Sequence, residues 1–311
     1  MKRILVTGVG GQVAFPLARS LAAAGDEVWG LARLKRRGDR EKLDAAGIRP
    51  FAADLGAGVF GDLPRDFDEV LHFAVAKSGK WERDLAANAE GLGLLMAHCR
   101  ESGALLHCSS TAVYAPAGQT PLTESHPLGD NHGALMPTYS ICKIAAEAAA
   151  RTAARVFGIP TTIARLNVPY GDGGGWPAMH LEQVLAGSPI ALSPDAPNTF
   201  NPIHDDDILA MLPRLLAIAS VPATVLNWGG SEAASIEAWS AWLGELVGKA
   251  PLFATTERSI GPVTIDTTRM HERVGATKVG WRDGLRRMVA ARYPEISIRH
   301  PRLARTDEAP A

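Results

Sequence analysis

The sequence predicts an α/β fold, and three observations lead to it. Short aliphatic and β-branched runs alternate with longer helix-favouring stretches through the first half of the chain, the order that builds a parallel sheet. Residues 2–32 already read as strand, helix, strand. Between that first strand and its helix lies a glycine-rich turn, Gly8-Val9-Gly10-Gly11.

The elements follow in order. Residues 2–7 form the first strand, and residues 12–24 a helix closed by Gly25, a C-cap glycine. Pro16 is tolerable there because it lies near the first turn. Residues 27–32 and 48–53 are the second and third strands, the latter followed by Asp54-Leu55. The fourth, 69–74, runs into a loop through Val75, Ala76 and Lys77. A long helix over 82–101 places Leu85, Leu92, Leu95, Met96 and Cys99 as its apolar residues. The fifth strand, 104–108, leads into Ser109-Ser110-Thr111-Ala112-Val113-Tyr114. An alanine-rich helix opens at Thr138-Tyr139 and ends near Val156, and residues 161–166 form the sixth strand. Gly171 to Gly175 read as a hinge into a second lobe with helices over 178–186 and 235–247. Residues 294–311, rich in proline and charge, read as a tail or a flap.

Composition narrows the function classes. With 311 residues, 46% hydrophobic and 21% charged, the chain can bury a substantial core. A formal net charge of -1 gives no electrostatic case for a nucleic-acid partner or an anionic membrane. The apolar runs fall short of the ~18 residues a membrane span needs. The N-terminus runs straight into a strand pattern rather than a signal peptide. Cys99, Cys108 and Cys142 sit amid apolar residues and lack ligand spacing, which points to reduced thiols, no metal and a cytoplasmic location.

Three features carry chemistry. A glycine-rich turn ahead of a helix lets the backbone approach a pyrophosphate, which the helix N-terminus attracts. The second strand ends in Leu31-Ala32-Arg33-Leu34-Lys35-Arg36-Arg37, with no acid until Asp39. An acid there would hold the ribose hydroxyl of NAD, whereas a base suits the 2′-phosphate of NADP, so Arg33 points to NADP(H), with NAD(H) possible. Tyr139 and Lys143, four residues apart on a helix, share one face, and a nearby ammonium lowers a phenol's pKa.

Together these residues resemble the extended short-chain dehydrogenase/reductase family, the NAD-dependent epimerase/dehydratase group. Thr7-Gly8-x-x-Gly11-x-x-Ala14 is similar to its T-G-x-x-G-x-x-G fingerprint, with alanine for the third glycine. Ser109-Ser110 through Tyr114 resembles S-S-x-x-V-Y-G, and Tyr139-x-x-x-Lys143 follows in family order. The resemblance spans residues 2–292. It implies a Rossmann-type doubly wound parallel sheet over 1–166, rejoined by 201–228. A smaller C-terminal substrate lobe is then built from 167–200 and 229–293. It implies Tyr139 as general acid/base, Lys143 as its pKa partner and ribose ligand, and Ser110 as a hydrogen-bond donor to the substrate oxygen. Cofactor contacts are implied at Gly8, Gly10, Gly11, Gln12, Val13, Arg33, Asp54, Leu55, Phe73, Ala74, Val75, Tyr139, Lys143, Leu166 and Val168. His72 is expected to be structural, Asn88 to hold a helix or the active-site water, and the helices at 82–101 and from Tyr139 to pair in a homodimer.

Departures from the family pattern narrow the chemistry. Dehydratases of the family carry acids just after the catalytic hydroxyl, where this chain has Thr111 and Ala112. Phe200 stands where nucleotide-sugar enzymes place a diphosphate-binding arginine, and Val168 where they place a nucleotide-contacting asparagine. A His204-Asp205-Asp206-Asp207 run reads as a helix start capped by its aspartates. The expectation is therefore an NAD(P)-dependent oxidoreductase acting on a small carbonyl or alcohol. The alternatives are a nucleotide-sugar epimerase with tightly bound NAD and a non-enzymatic dinucleotide-sensing protein.

Overall fold

Strands β1 (Arg3–Thr7), β2 (Glu27–Ala32), β3 (Ile48–Ala52), β4 (Glu69–His72), β5 (Ala104–Ser110) and β6 (Thr161–Leu166) join Thr224–Trp228 in one sheet. The computed structural model of the chain describes residues 1–298, so most of the expected tail lies outside the described residues. From one edge the order is Thr224–Trp228, β6, β5, β4, β1, β2, β3. Every neighbouring pair is parallel. Strand order therefore reverses between β1 and β4. Beyond their carboxyl ends such a sheet opens a crevice, with Gly8 on one side and Phe73 and Ala74 on the other.

The apolar strand runs follow from burial on both faces. Along β1, Ile4 and Val6 point one way and Leu5 the other. On the first face Ile4 and Val6 pack with α1 (Ala14–Ala23), through Leu17 and Ala18, and with α7 (Asp205–Ala217), through Ile208, Met211 and Leu215. On the second face Leu5 packs with Leu92, Leu95 and Met96 of Gly91–His98 and with Ala146, Ala150 and Ala153 of α5 (Tyr139–Phe157). The alanine stripe lets α5 lie close on the sheet, and Gly158 closes the helix in the left-handed conformation. A second core, around Phe200, Leu181, Trp239, Leu243, Leu285 and Met288, gathers α6 (Trp176–Ala186), α8 (Ile236–Val247) and α10 (Trp281–Arg292).

Two elements differ from expectation. The long helix over 82–101 is α3 (Trp81–Leu85), a π-helical turn at Ala86–Glu90, and α4 (Gly91–His98). Gly91 explains the close docking here, since a Cβ on it would lie 2.7 Å from the Leu55 carbonyl oxygen. The cap of α7 is His204, whose Nδ1 accepts from the Asp206 N–H at 3.1 Å, while the three aspartates occupy the first turn and favour the helix dipole. The edge strand Thr224–Trp228 lies in the segment expected to rejoin the sheet, and Gly229-Gly230 follows it.

Candidate active site

β5 ends at Ser110, whose Oγ accepts from the Ala112 N–H at 3.1 Å and starts a short 3-10 turn, Thr111–Val113. Tyr139 opens α5, and Lys143 lies one turn further on the same face. The Lys143 ammonium, buried, donates to the Cys108 carbonyl at 2.7 Å and so ties α5 to the end of β5. Burial lowers the Lys143 pKa. The Tyr139 phenol is pushed up to about 12, with burial the largest cause and the Ser110 side chain, through hydrogen bonding, pulling the other way. The direction is opposite to the one the four-residue spacing suggests. The physical reason is that Lys143 directs its ammonium at a carbonyl while burial penalises the phenolate.

The next turn of α5 carries a buried charge network that the sequence alone does not signal. Glu147 and Arg165 of β6 form a two-pronged ion pair, Nε to Oε1 at 2.9 Å and Nη2 to Oε2 at 2.8 Å. Both are about 1% exposed, so the pair stays shielded from water. Ser109, the neighbour of Ser110, donates to Glu147 Oε1 at 2.6 Å. Arg165 also donates to the Glu124 carbonyl at 3.1 Å and lies 4.8 Å from the centre of the Tyr114 ring. The network holds β5, α5 and β6 in one register.

Two side chains at the site lie outside the family motifs. Lys77, in the loop after β4, places its ammonium 4.8 Å from the centre of the Tyr139 ring. His132 lies with its ring 5.8 Å from that of Tyr139, and burial, then the nearby Lys77 charge, brings its pKa down to about 4. Lys77 stands three residues past Ala74 at the carboxyl edge of the sheet, which is the signal that could have marked it.

The glycine turn has the features of an anion cradle. Gly8 has φ +68°, and a Cβ on it would lie 2.7 Å from the Ala74 Cα, so the β1 and β4 ends approach to backbone contact. Nothing lies within 4 Å of a Cβ built on Gly10, which leaves an open edge for a ligand. Among the described residues no side chain caps α1, and its first turn holds no acid. Gln12 donates to the Pro169 carbonyl at 3.3 Å, and Val13 packs against the core. Arg33 is exposed just past β2, with Lys35, Arg36 and Arg37, whereas Asp39 belongs to the first turn of α2 (Asp39–Ala45).

Asp54, two residues past β3, caps a 3-10 turn, accepting from the Gly56 N–H at 3.2 Å, and Leu55 is buried behind it. Phe73 is buried, Ala74 half-buried and Val75 exposed at the crevice. His72 lies at the end of β4. Its Nδ1 lies 3.1 Å from His107 Nδ1, with both rings buried between β4 and β5. Asn88 holds the loop, accepting from the Ala76 N–H at 2.8 Å and donating to the Ala76 carbonyl at 2.9 Å. Leu166 is buried in the sheet core, and Val168 packs partly buried against the second core. Asn167, one position earlier, is buried and spends its side chain on Val168, Asn201 and Val263. Phe200 is buried against Trp176, ring centres 5.0 Å apart, and Trp239 at 6.1 Å. The three cysteines are buried and unbridged. Among the described residues no helix is long and apolar enough to cross a membrane.

Solved structures share this architecture. UDP-glucuronic acid 4-epimerase from Bacillus cereus, in complex with UDP-glucuronic acid and NAD, aligns at a TM-score of 0.78 and 21% identity over 94% of this chain and 99% of its own. DesIV, a dTDP-glucose 4,6-dehydratase from Streptomyces venezuelae with NAD and TYD bound, aligns at 0.78 and 23% over 94% and 97%. UDP-glucose 4-epimerase from Thermotoga maritima, with UDP-glucose, aligns at 0.78 and 21% over 94% and 99%. At these identities the likeness establishes the fold. No curated protein matches the chain. Residues 4–217, from the first strand through the glycine turn and the Ser110–Tyr139–Lys143 segment to the end of α7, match the profile of one family of NAD-dependent enzymes: the chain belongs to the NAD dependent epimerase/dehydratase family.

Proposed function

We propose that the protein is an NAD(P)-dependent oxidoreductase that moves hydride to or from a small carbonyl or alcohol, with Tyr139 as general acid/base. The supporting observation is the gathering of Ser110, Tyr139 and Lys143 at the carboxyl end of β5, beside the open glycine turn. Bound nicotinamide would supply or accept the hydride. In reduction, Ser110 hydrogen-bonds the substrate oxygen and Tyr139 delivers its proton; in oxidation Tyr139 removes it. Lys143 steadies the start of α5 through Cys108 and would hold the nicotinamide ribose. Gly8, Gly10, Gly11, Gln12 and Val13 would line the pyrophosphate, and Phe73, Ala74, Val75, Leu166 and Val168 the nicotinamide half. Asp54 and Leu55 would border the adenine.

NADP(H) is the proposed cofactor, because four exposed basic residues, Arg33 first, follow β2 with no acid at the strand end. NAD is the competing choice, since two of the solved relatives hold it. Calorimetry with NADH and NADPH decides between them. NADPH is expected to bind more tightly, and Arg33→Ala to weaken NADPH by about tenfold while leaving NADH unchanged. Tighter NADH binding to the wild type would overturn the assignment.

Two of the solved relatives carry nucleotide sugars, UDP-glucuronic acid in one and UDP-glucose in the other. A smaller substrate is proposed for this chain because Phe200 is sealed into an aromatic cluster and Val168 offers no polar group. Turnover across a panel of carbonyls and alcohols with both cofactors tests this. Epimerisation is the second reading, favoured by the two epimerases among the structures, and it would show as NAD copurifying with the protein and no net use of added NADPH. Exposed Trp81, Leu94, Ile141 and Val156 on α3–α5 support a homodimer through these helices, which sedimentation would detect. Buried, unbridged cysteines fit the proposed cytoplasmic location.

A further inference from the structure

Asp84 is fully buried, yet hydrogen bonds reach its carboxylate from two directions. Ser78 donates through its N–H at 2.9 Å and its hydroxyl at 2.6 Å, and Gly79 through its N–H at 2.9 Å. From the other side Thr138, the residue before Tyr139, donates at 2.7 Å. Burial alone would raise the Asp84 pKa, but these donors outweigh it and hold the carboxyl below its ordinary range. Asn88, within the π-helical turn, grips both backbone groups of Ala76. Lys77 is thus fixed between two clamped neighbours, Ala76 and Ser78, and its ammonium lies over the Tyr139 ring.

We infer that Asp84 is a positioning residue that locks the Lys77 loop and the start of α5 together, making Lys77 a second cation on the proton-handling tyrosine beside Lys143. The inference rests on the reading of Tyr139 as acid/base for its effect on turnover, though not for the clamp itself. Several groups face Tyr139. From α5 comes Lys143, bonded to a carbonyl; from β5, Ser110 and the Cys108 thiol; from the preceding loop, His132; from the clamped loop, Lys77. The Cys108 thiol is pushed up to about 11 by burial and His132 is brought down to about 4, so both are neutral at neutral pH. Among the described residues, Lys77 is the cation over the ring that is not drawn onto a backbone acceptor. A positive charge there favours the phenolate.

His132 reports where Lys77 sits without needing a substrate, because the Lys77 charge lowers its pKa. Its titration by NMR, assigned with His132→Gln, is the first measurement. Lys77→Met is expected to raise the His132 midpoint by about one pH unit. Asp84→Asn should raise it as much, and should add nothing in the Lys77→Met background. Thr138→Val, which cuts only the link to α5, should give a smaller rise. The second measurement is the pH profile of kcat/KM for alcohol oxidation on the best substrate of the panel. There the midpoint should move up by about one pH unit in both Lys77→Met and Asp84→Asn, with KM little changed. An unchanged His132 midpoint in Asp84→Asn would overturn the clamp. Weakened cofactor binding with both midpoints unmoved in Lys77→Met would mean that the ammonium serves the cofactor, and the inference fails. Tyr139→Phe run alongside separates the two claims: if it stays active the acid/base reading falls, while the His132 titration still decides the clamp.

Discussion

Glu147 and Arg165 meet in a shielded, two-pronged ion pair one turn past Lys143, and each also serves a neighbour, Ser109 and the Glu124 carbonyl. Removing one charge strands the other where water cannot reach it. Glu147→Ala is expected to cost on the order of 3–5 kcal/mol of stability, read as a lowered urea midpoint. A midpoint within about 0.5 kcal/mol of wild type would show that Arg165 finds another partner or water. At Tyr139 and Lys143 the four-residue spacing rightly puts both groups on one face, but the pKa direction depends on burial and on the Cys108 carbonyl. Neither is visible in spacing. Lys77 and Asp84 are hidden for the same reason, since contacts between segments far apart in sequence bring them to the start of α5, and His132 because only the folded loop ahead of α5 turns its ring towards Tyr139.

Elements differ in how openly the sequence declares them. β1, β4, β5 and β6 are legible because burial on both faces favours near-continuous apolar runs, whereas the edge strand β3 buries only Ile48. The edge strand Thr224–Trp228 is masked by Asn227, a buried amide whose side chain donates to the Leu122 carbonyl at 2.7 Å and accepts from the Tyr114 hydroxyl at 2.5 Å. α2, Asp-Arg-Glu-Lys-Leu-Asp-Ala, buries only Leu43 and shows no apolar period. The π-helical turn owes its place to Gly91 docking on Leu55, a tertiary fact. The β4–β5 pair carries its own pH dependence. Burial drives the His72 pKa down to about 3 and that of His107 well below its ordinary 6.5. An unfolded chain therefore binds protons here that the folded one refuses. Stability from this pair is fully present above about pH 6.5 and drains as pH falls towards 3, by about 1.4 kcal/mol per pH unit for each imidazole. Urea midpoints should drop clearly between about pH 6.5 and about pH 5. A flat profile would mean that the folded core accepts the protons.

For the whole molecule, the sheet brings the proposed site to its carboxyl edge near the β1/β4 reversal, while the second core builds the lobe proposed to take the substrate. The first part was legible in the glycine turn, Ser110 and the Tyr139–Lys143 pair. The second was not, because Trp176, Phe200 and Trp239 come from three separate segments and become a cluster only on folding. With Phe200 buried among aromatics, Phe200→Arg is expected to destabilise the fold by several kcal/mol rather than create a diphosphate site. Thermal unfolding and UDP-glucose titration of that variant would show whether this lobe can take a nucleotide sugar. The most direct measurement concerns the proton itself. Tyr139→Phe should lower kcat on the best panel substrate by about 10²- to 10⁴-fold while NADPH affinity stays within about twofold of wild type. Turnover retained in Tyr139→Phe would contradict the assignment of Tyr139 as the general acid/base.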